Sequence, residues 1–151
     1  MPSLRVVKCL ILTLSLFLLC GYSFAGQQIS NSATPSPETH CKALTVYKEA
    51  GGESLVAQRA VLDVLETRIK LARSSCKKEV SLPKQFSWHH AGVPLKAKQS
   101  MLTTYDKIVK MKPVMQGATH FHSVRVKPKW AKKMKYVGRA GNHYFYRAKE
   151  K

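Results

Sequence analysis

Apolar residues recur at helical spacing in three stretches and at strand-like spacing in two more. The clearest stretch carries Val56, Ala57, Ala60, Val61, Val64, Leu65 and Ile69, and Ser54 stands where a helix N-cap is wanted. This predicts a helix from Ser54 to about Ala72. Before it, Cys41 to Ala50 predicts a short helix with Leu44, Tyr47 and Val46 inward, interrupted by Gly51-Gly52. After it, Ser74 to Leu95 holds Pro83 and Pro94 and reads as a long loop. A third helix is predicted from Lys96 to Lys112 on Met101, Leu102, Tyr105, Ile108 and Val109, with Pro113 as its stop. Ala118–Val124 alternates loosely and His143–Ala148 is aromatic-rich, as short strands are. Helices first and strands later predict an α+β domain.

The N-terminal pattern is of another kind. Arg5 and Lys8 precede an uncharged apolar run from Cys9 to Cys20, and Ser23-Phe24-Ala25 offers small residues for a cut. Residues 1–25 therefore read as a secretory signal peptide. The apolar run is 12 residues, too short for a comfortable bilayer span, so no stable membrane anchor is expected. Residues 26–39 are mostly Ser, Thr, Asn and Pro and read as a flexible linker. The domain is then residues 40–151.

Composition changes the picture through charge. The 151 residues hold 26 Lys and Arg against 8 Asp and Glu, a formal net charge of +18. Apolar content of 44% is enough for one core, which excludes a disordered chain. Removing the leader takes two cations and leaves +16 on 126 residues. An exported cationic domain points to anionic cell-envelope polymers and away from cytosolic nucleic acid. Ten of the cations lie between Arg125 and Lys151, a solvated face or a polyanion attractor. Export also removes Cys9 and Cys20, so Cys41 and Cys76 remain. An even pair in an oxidising compartment suggests one disulfide, the alternative being two buried thiols.

Candidate chemistry is sparse. Glu49 and Glu53 flank the Gly-Gly break, where an acid at the end of an apolar helix suits a general acid. By spacing alone, an ordinary exposed pair is the simpler reading. Gln85-Phe86-Ser87-Trp88 in the long loop suits either a glycan groove or a loop pinned to the core. His120, His122 and His143 raise a zinc site, but without metal-ligand spacing structural histidines are simpler.

Taken in order, several segments resemble the SleB-like cell-wall hydrolases, the family of spore cortex-lytic enzymes and related bacterial and phage proteins. The segments are Cys41-x-Ala-Leu-x-x-Tyr47-x-Glu49-Ala50-x-Gly52-Glu53, Gln58-x-Ala60-Val61, Arg68 and Cys76. They continue with Gln85-Phe86-Ser87-Trp88, Gly117 to His122, Pro128-x-Trp130-Ala131 and Gly138 to Arg147. Together they span about residues 40–148. The resemblance implies a small lysozyme-like α+β domain, about three helices plus a short antiparallel sheet. It also implies an enzyme that cleaves the glycan strands of peptidoglycan; with the signal peptide of residues 1–25, a secreted or periplasmic monomer is expected. The outcome would be that of a lytic transglycosylase or a glucosaminidase-type hydrolase. The first Glu of the family's E-A-R-G-E motif, its catalytic acid, falls on Glu49. Gly51 stands where that motif carries Arg, and Thr67 where Asn commonly precedes Arg68. Substrate-binding candidates are Glu53, Gln85, Trp88, Thr119, His120 and Tyr146, with Tyr47 and Phe145 in the core. No metal or organic cofactor is expected. Two other classes stay open: a zinc-dependent amidase using the three histidines, and a non-catalytic cationic envelope binder.

Overall fold

The computed structural model describes residues 34–149 apart from Lys84, Ala91 and Val93. The signal-peptide reading and the linker as far as residue 33 lie outside the described residues. Four helices come first: α1 (Pro37–Ala50), α2 (Leu55–Ala72), α3 (Cys76–Val80) and α4 (Gln99–Val109). Three strands follow, β1 (His120–Ser123), β2 (Lys135–Ala140) and β3 (His143–Arg147), with a 3-10 turn over Lys129–Lys133 between β1 and β2. The strands form one antiparallel sheet in the order β1-β3-β2. This is the expected α+β architecture.

The first helix starts earlier than its apolar stripe suggested. Ser36 Oγ accepts from Thr39 N at 3.1 Å, Pro37 opens the first turn and Glu38 is acidic within it. Ser-Pro-Glu is thus a helix start as well as linker-like composition, because proline presets the first-turn φ and an acid favours the positive helix end. Within α1, Leu44 and Val46 are buried, but Tyr47 is 49% exposed and not core. Its ring lies over Gly51, whose missing Cβ would fall 2.7 Å from the Tyr47 Cδ2 atom.

The second helix matches its predicted start, with Ser54 Oγ accepting from Ala57 N at 3.3 Å. It is buried continuously from Ala57 to Leu65, because α1, α3, α4 and the sheet surround it. That burial includes two charges. Arg59 Nη2 pairs with Asp63 Oδ1 at 2.8 Å, and Asp63 Oδ2 accepts from Val114 N and Met115 N at 2.7 Å each. The carboxylate therefore anchors the segment leading into β1, as a buried charge must be paired and hydrogen-bonded.

Two elements escaped the sequence pattern. The third helix is five residues long, too short to show a period, and is nucleated by the Ser75 cap. The second strand, Lys-Tyr-Val-Gly-Arg-Ala, is a polar edge strand with an irregularity between Tyr136 and Gly138 that breaks its alternation. The third helix also carries Cys76, which is disulfide-bonded to Cys41 of α1.

Phe145 is fully buried and stacks with Phe121 across the β3–β1 pair. The turn joining β2 to β3 contains Gly141 at φ +54. A Cβ at Gly141 would collide with the Glu53 carboxylate and lie 2.9 Å from Ala57 Cβ. Gly141→Ala is therefore expected to destabilise the fold by about 2 kcal/mol or more in urea unfolding, combining backbone strain with a clash. An unchanged midpoint would show that the turn tolerates a side chain.

Candidate active site

Glu49 sits in the last turn of α1, half-buried at the wall of a cleft of about 440 Å³. The cleft is also lined by Arg68, Gln85, His120, Phe121 and Trp130. These come from α2, the loop after α3, β1 and the 3-10 turn, so the site is assembled from across the fold.

Trp88 Nε1 donates to Glu49 Oε1 at 3.0 Å. Burial pushes the Glu49 carboxyl above its ordinary value, and the Trp88 hydrogen bond opposes part of that rise. Trp88 also contacts the Phe86 ring at 6.3 Å, and Phe86 is buried against Cys41, Leu65, Cys76 and Val80. Phe86 thus pins the aromatic loop to the core, and Trp88 presents an N–H to the acid.

Arg68 holds the same loop from the α2 side. It donates to Gln85 Oε1, pairs with Glu79 at 3.4 Å and stacks over Phe86 at 5.5 Å. Its charge also reaches His120, whose pKa is lowered first by burial and second by Arg68. Both effects favour the uncharged imidazole, whose Nδ1 lies 2.9 Å from Thr119 Oγ1.

Of the sequence-predicted site residues, Glu49, Gln85 and His120 line the cleft, Trp88 touches the acid and Thr119 supports His120. Tyr146 stands beside the cleft, on the outer sheet face, 5.6 Å from Trp130. Glu53 is placed elsewhere. It lies beyond the end of α1, and its carboxylate accepts from Asn142 N at 3.3 Å and Asn142 Nδ2 at 2.9 Å. That tie joins the α1–α2 turn to the β2–β3 turn, so Glu53 serves the fold and does not line the cleft. Phe121 and Trp130 were not singled out as site residues, and neither was Arg68. Arg68, Phe121 and Trp130 do fall within the resembling segments, the one signal that could have found them.

The three histidines do not converge. His120 and His122 lie on one face of β1, while His143 faces inward, 5.3 Å from the Phe121 ring. Among the described residues, no group of three or more His, Cys, Asp or Glu side chains could hold a metal ion. Thr67 lines a separate cavity with Asp63 and Lys70, away from Glu49.

A small lysozyme-like α+β domain with one perturbed carboxyl at an aromatic and cationic cleft defines the class. The chain belongs to the cell wall hydrolase family, whose model matches residues 52–146. The fold is similar to the catalytic domain of the Bacillus cereus SleB protein, at a TM-score of 0.62 and 19% identity, covering 74% of this chain and 90% of that one. It is similar also to the catalytic domain of the germination-specific lytic transglycosylase SleB from Bacillus anthracis. There the TM-score is 0.63 and the identity 18%, covering 77% of this chain and 98% of that one. No curated protein matches the sequence.

Proposed function

We propose that the protein is an exported enzyme that cleaves the glycan strands of peptidoglycan by the lytic transglycosylase route, with Glu49 as acid and then base. The observation that carries this reading is the pairing of Glu49 with Trp88 at the cleft wall. Indole N–H can only donate, so Glu49 Oε1 is the acceptor and the acid proton belongs on Oε2. Burial keeps that proton on the carboxyl to higher pH than an exposed glutamate would.

The chemistry follows from a single acid. Glu49 protonates the glycosidic oxygen as the C1–O bond breaks, and its carboxylate is left behind. Retaining and inverting glycosidases need a second carboxylate across the bond. Among the described residues that line the cleft, Glu49 is the one acid. The C6 hydroxyl of the muramic acid then attacks C1, and Glu49 takes its proton back. A 1,6-anhydro sugar forms and no water is consumed. Gln85 and His120 offer hydrogen bonds to the sugar, and Phe121 and Trp130 offer ring faces. The excess of cations attracts the domain to an anionic envelope over a range that salt shortens.

The test is digestion of purified peptidoglycan followed by mass spectrometry of the fragments. Anhydro-muropeptides support the proposal. New reducing ends indicate hydrolysis by water, and freed stem peptides would indicate an amidase.

Trp88→Phe keeps the packing against Phe86 but removes the bond that lowers the Glu49 pKa. The alkaline limb of kcat/KM is expected to move to higher pH, with kcat down about tenfold from lost orientation. A limb that stays in place would show that Trp88 does not act on Glu49.

A further inference from the structure

The outward face of the sheet carries rings where a small antiparallel sheet ordinarily carries polar residues. Register pairs Tyr146 with His120 on one side and with Tyr136 on the other, and pairs Tyr144 with His122. Side chains directly opposite share a face, so these rings stand away from the buried Phe121 and Phe145. Trp130 closes one edge, with ring centroids 5.3 Å from His120 and 5.6 Å from Tyr146. From Tyr146 the rings continue to Tyr136 at 5.7 Å and on to Tyr144 at 6.1 Å. Tyr136 is 54% exposed.

The platform is held in position before any ligand arrives. His122 Nδ1 lies 2.8 Å from the Ser123 carbonyl, which can only accept, so Nδ1 carries the hydrogen. Nε2 lies within hydrogen-bond distance of the Tyr146 hydroxyl, at 3.1 Å. The His122 and Tyr146 rings stack at 17°. Fixed rings lose little freedom on binding.

We infer that this face, from Trp130 through Tyr146 to Tyr136 and Tyr144, is a second glycan-binding site that carries the strand beyond the cleft. The inference rests on the peptidoglycan-cleaving reading of the cleft. Continuity identifies the occupant. His120 and Trp130 line the Glu49 cleft and also border the platform. A polymer threaded past Glu49 and out over that edge therefore lies across the tyrosines. The C–H faces of N-acetylated hexosamines suit electron-rich ring faces, and tyrosine hydroxyls supply hydrogen bonds at the rim.

Tyr136→Ala tests the inference, since Tyr136 is exposed and does not line the cleft. On long glycan strands KM is expected to rise about tenfold with kcat unchanged, the loss of one stacking contact. On a tetrasaccharide that fills only the cleft, kcat/KM should match the wild type. Tyr136→Trp should restore KM. A saccharide titration gives a readout besides activity: chitohexaose should perturb Trp130 fluorescence more weakly in the Tyr136→Ala protein. Equal effects on long and short substrates, or none on either, would overturn the platform while leaving the cleft reading intact. A wild-type protein that leaves peptidoglycan uncut would overturn the cleft reading and the inference with it.

Discussion

Glu49→Gln is expected to abolish glycan cleavage, by about a thousandfold or more, and at the same time to stabilise the folded domain at neutral pH. General acid–base groups contribute roughly 10²- to 10⁴-fold, and in the proposed mechanism one carboxyl performs both proton transfers. Glutamine keeps the shape and an oxygen that accepts the Trp88 N–H, so the structural cost is small. The stability effect has a definite sign. Burial raises the Glu49 pKa above its ordinary value of 4.5, so ionisation is harder in the folded chain than in the unfolded one. Below pH 4.5 the carboxyl is protonated in both states and carries no penalty. Above the raised value it is ionised in both, and the penalty is fully present. Thermal unfolding of the two proteins should therefore agree at pH 3 and diverge at pH 8, with the Gln variant higher. Equal cleavage by both proteins would sink the catalytic assignment. A stability gain of the same size at pH 3 and pH 8 would show that desolvation of a charge is not its cause.

Loss of the Cys41–Cys76 bridge should cost about 4 kcal/mol, since it closes a loop of 35 residues. For a domain of this size that corresponds to a fall of roughly 15–20 °C in Tm. The consequence reaches the site. The bridge fastens α3 to α1, and α3 carries Glu79, the partner of Arg68. Arg68 in turn holds Gln85 and Phe86, and the same loop delivers Trp88 to Glu49. The double variant Cys41→Ser/Cys76→Ser should therefore lose activity at temperatures where its helices remain folded. Measuring circular dichroism and cleavage across the same temperatures tests this. Activity that falls only together with the helical signal would show that the bridge serves global stability alone.

Much of the fold was legible because helices and strands are periodic. The second helix was read almost to the residue, since Ser54 caps it and its stripe is long. The third short helix, Cys76–Val80, has no stripe, and the polar edge strand Lys135–Ala140 has no alternation to read. Spacing alone puts Tyr47 inward, yet its ring covers bare Gly51 at the surface. At the site, Glu49 was legible as one of two acids by a glycine pair, and the family resemblance chose between them. Glu53 was misplaced because spacing on a helix says nothing once the helix has ended at Ala50. Its partner, Asn142, lies 89 positions away and no local pattern announces it.

The α+β class, the three principal helices, the acid at the end of the first and the cysteine pair available for bridging are all readable from the chain. These are local properties, set by caps, periodicity and composition. The folded chain is needed to see that Trp88 reaches Glu49, that Arg68 ties the loop to α2, and that Glu53 braces a turn. It alone showed that the histidines divide between two faces of the sheet and that the tyrosines join into one surface. Those contacts join residues far apart in the chain, and packing brings them together.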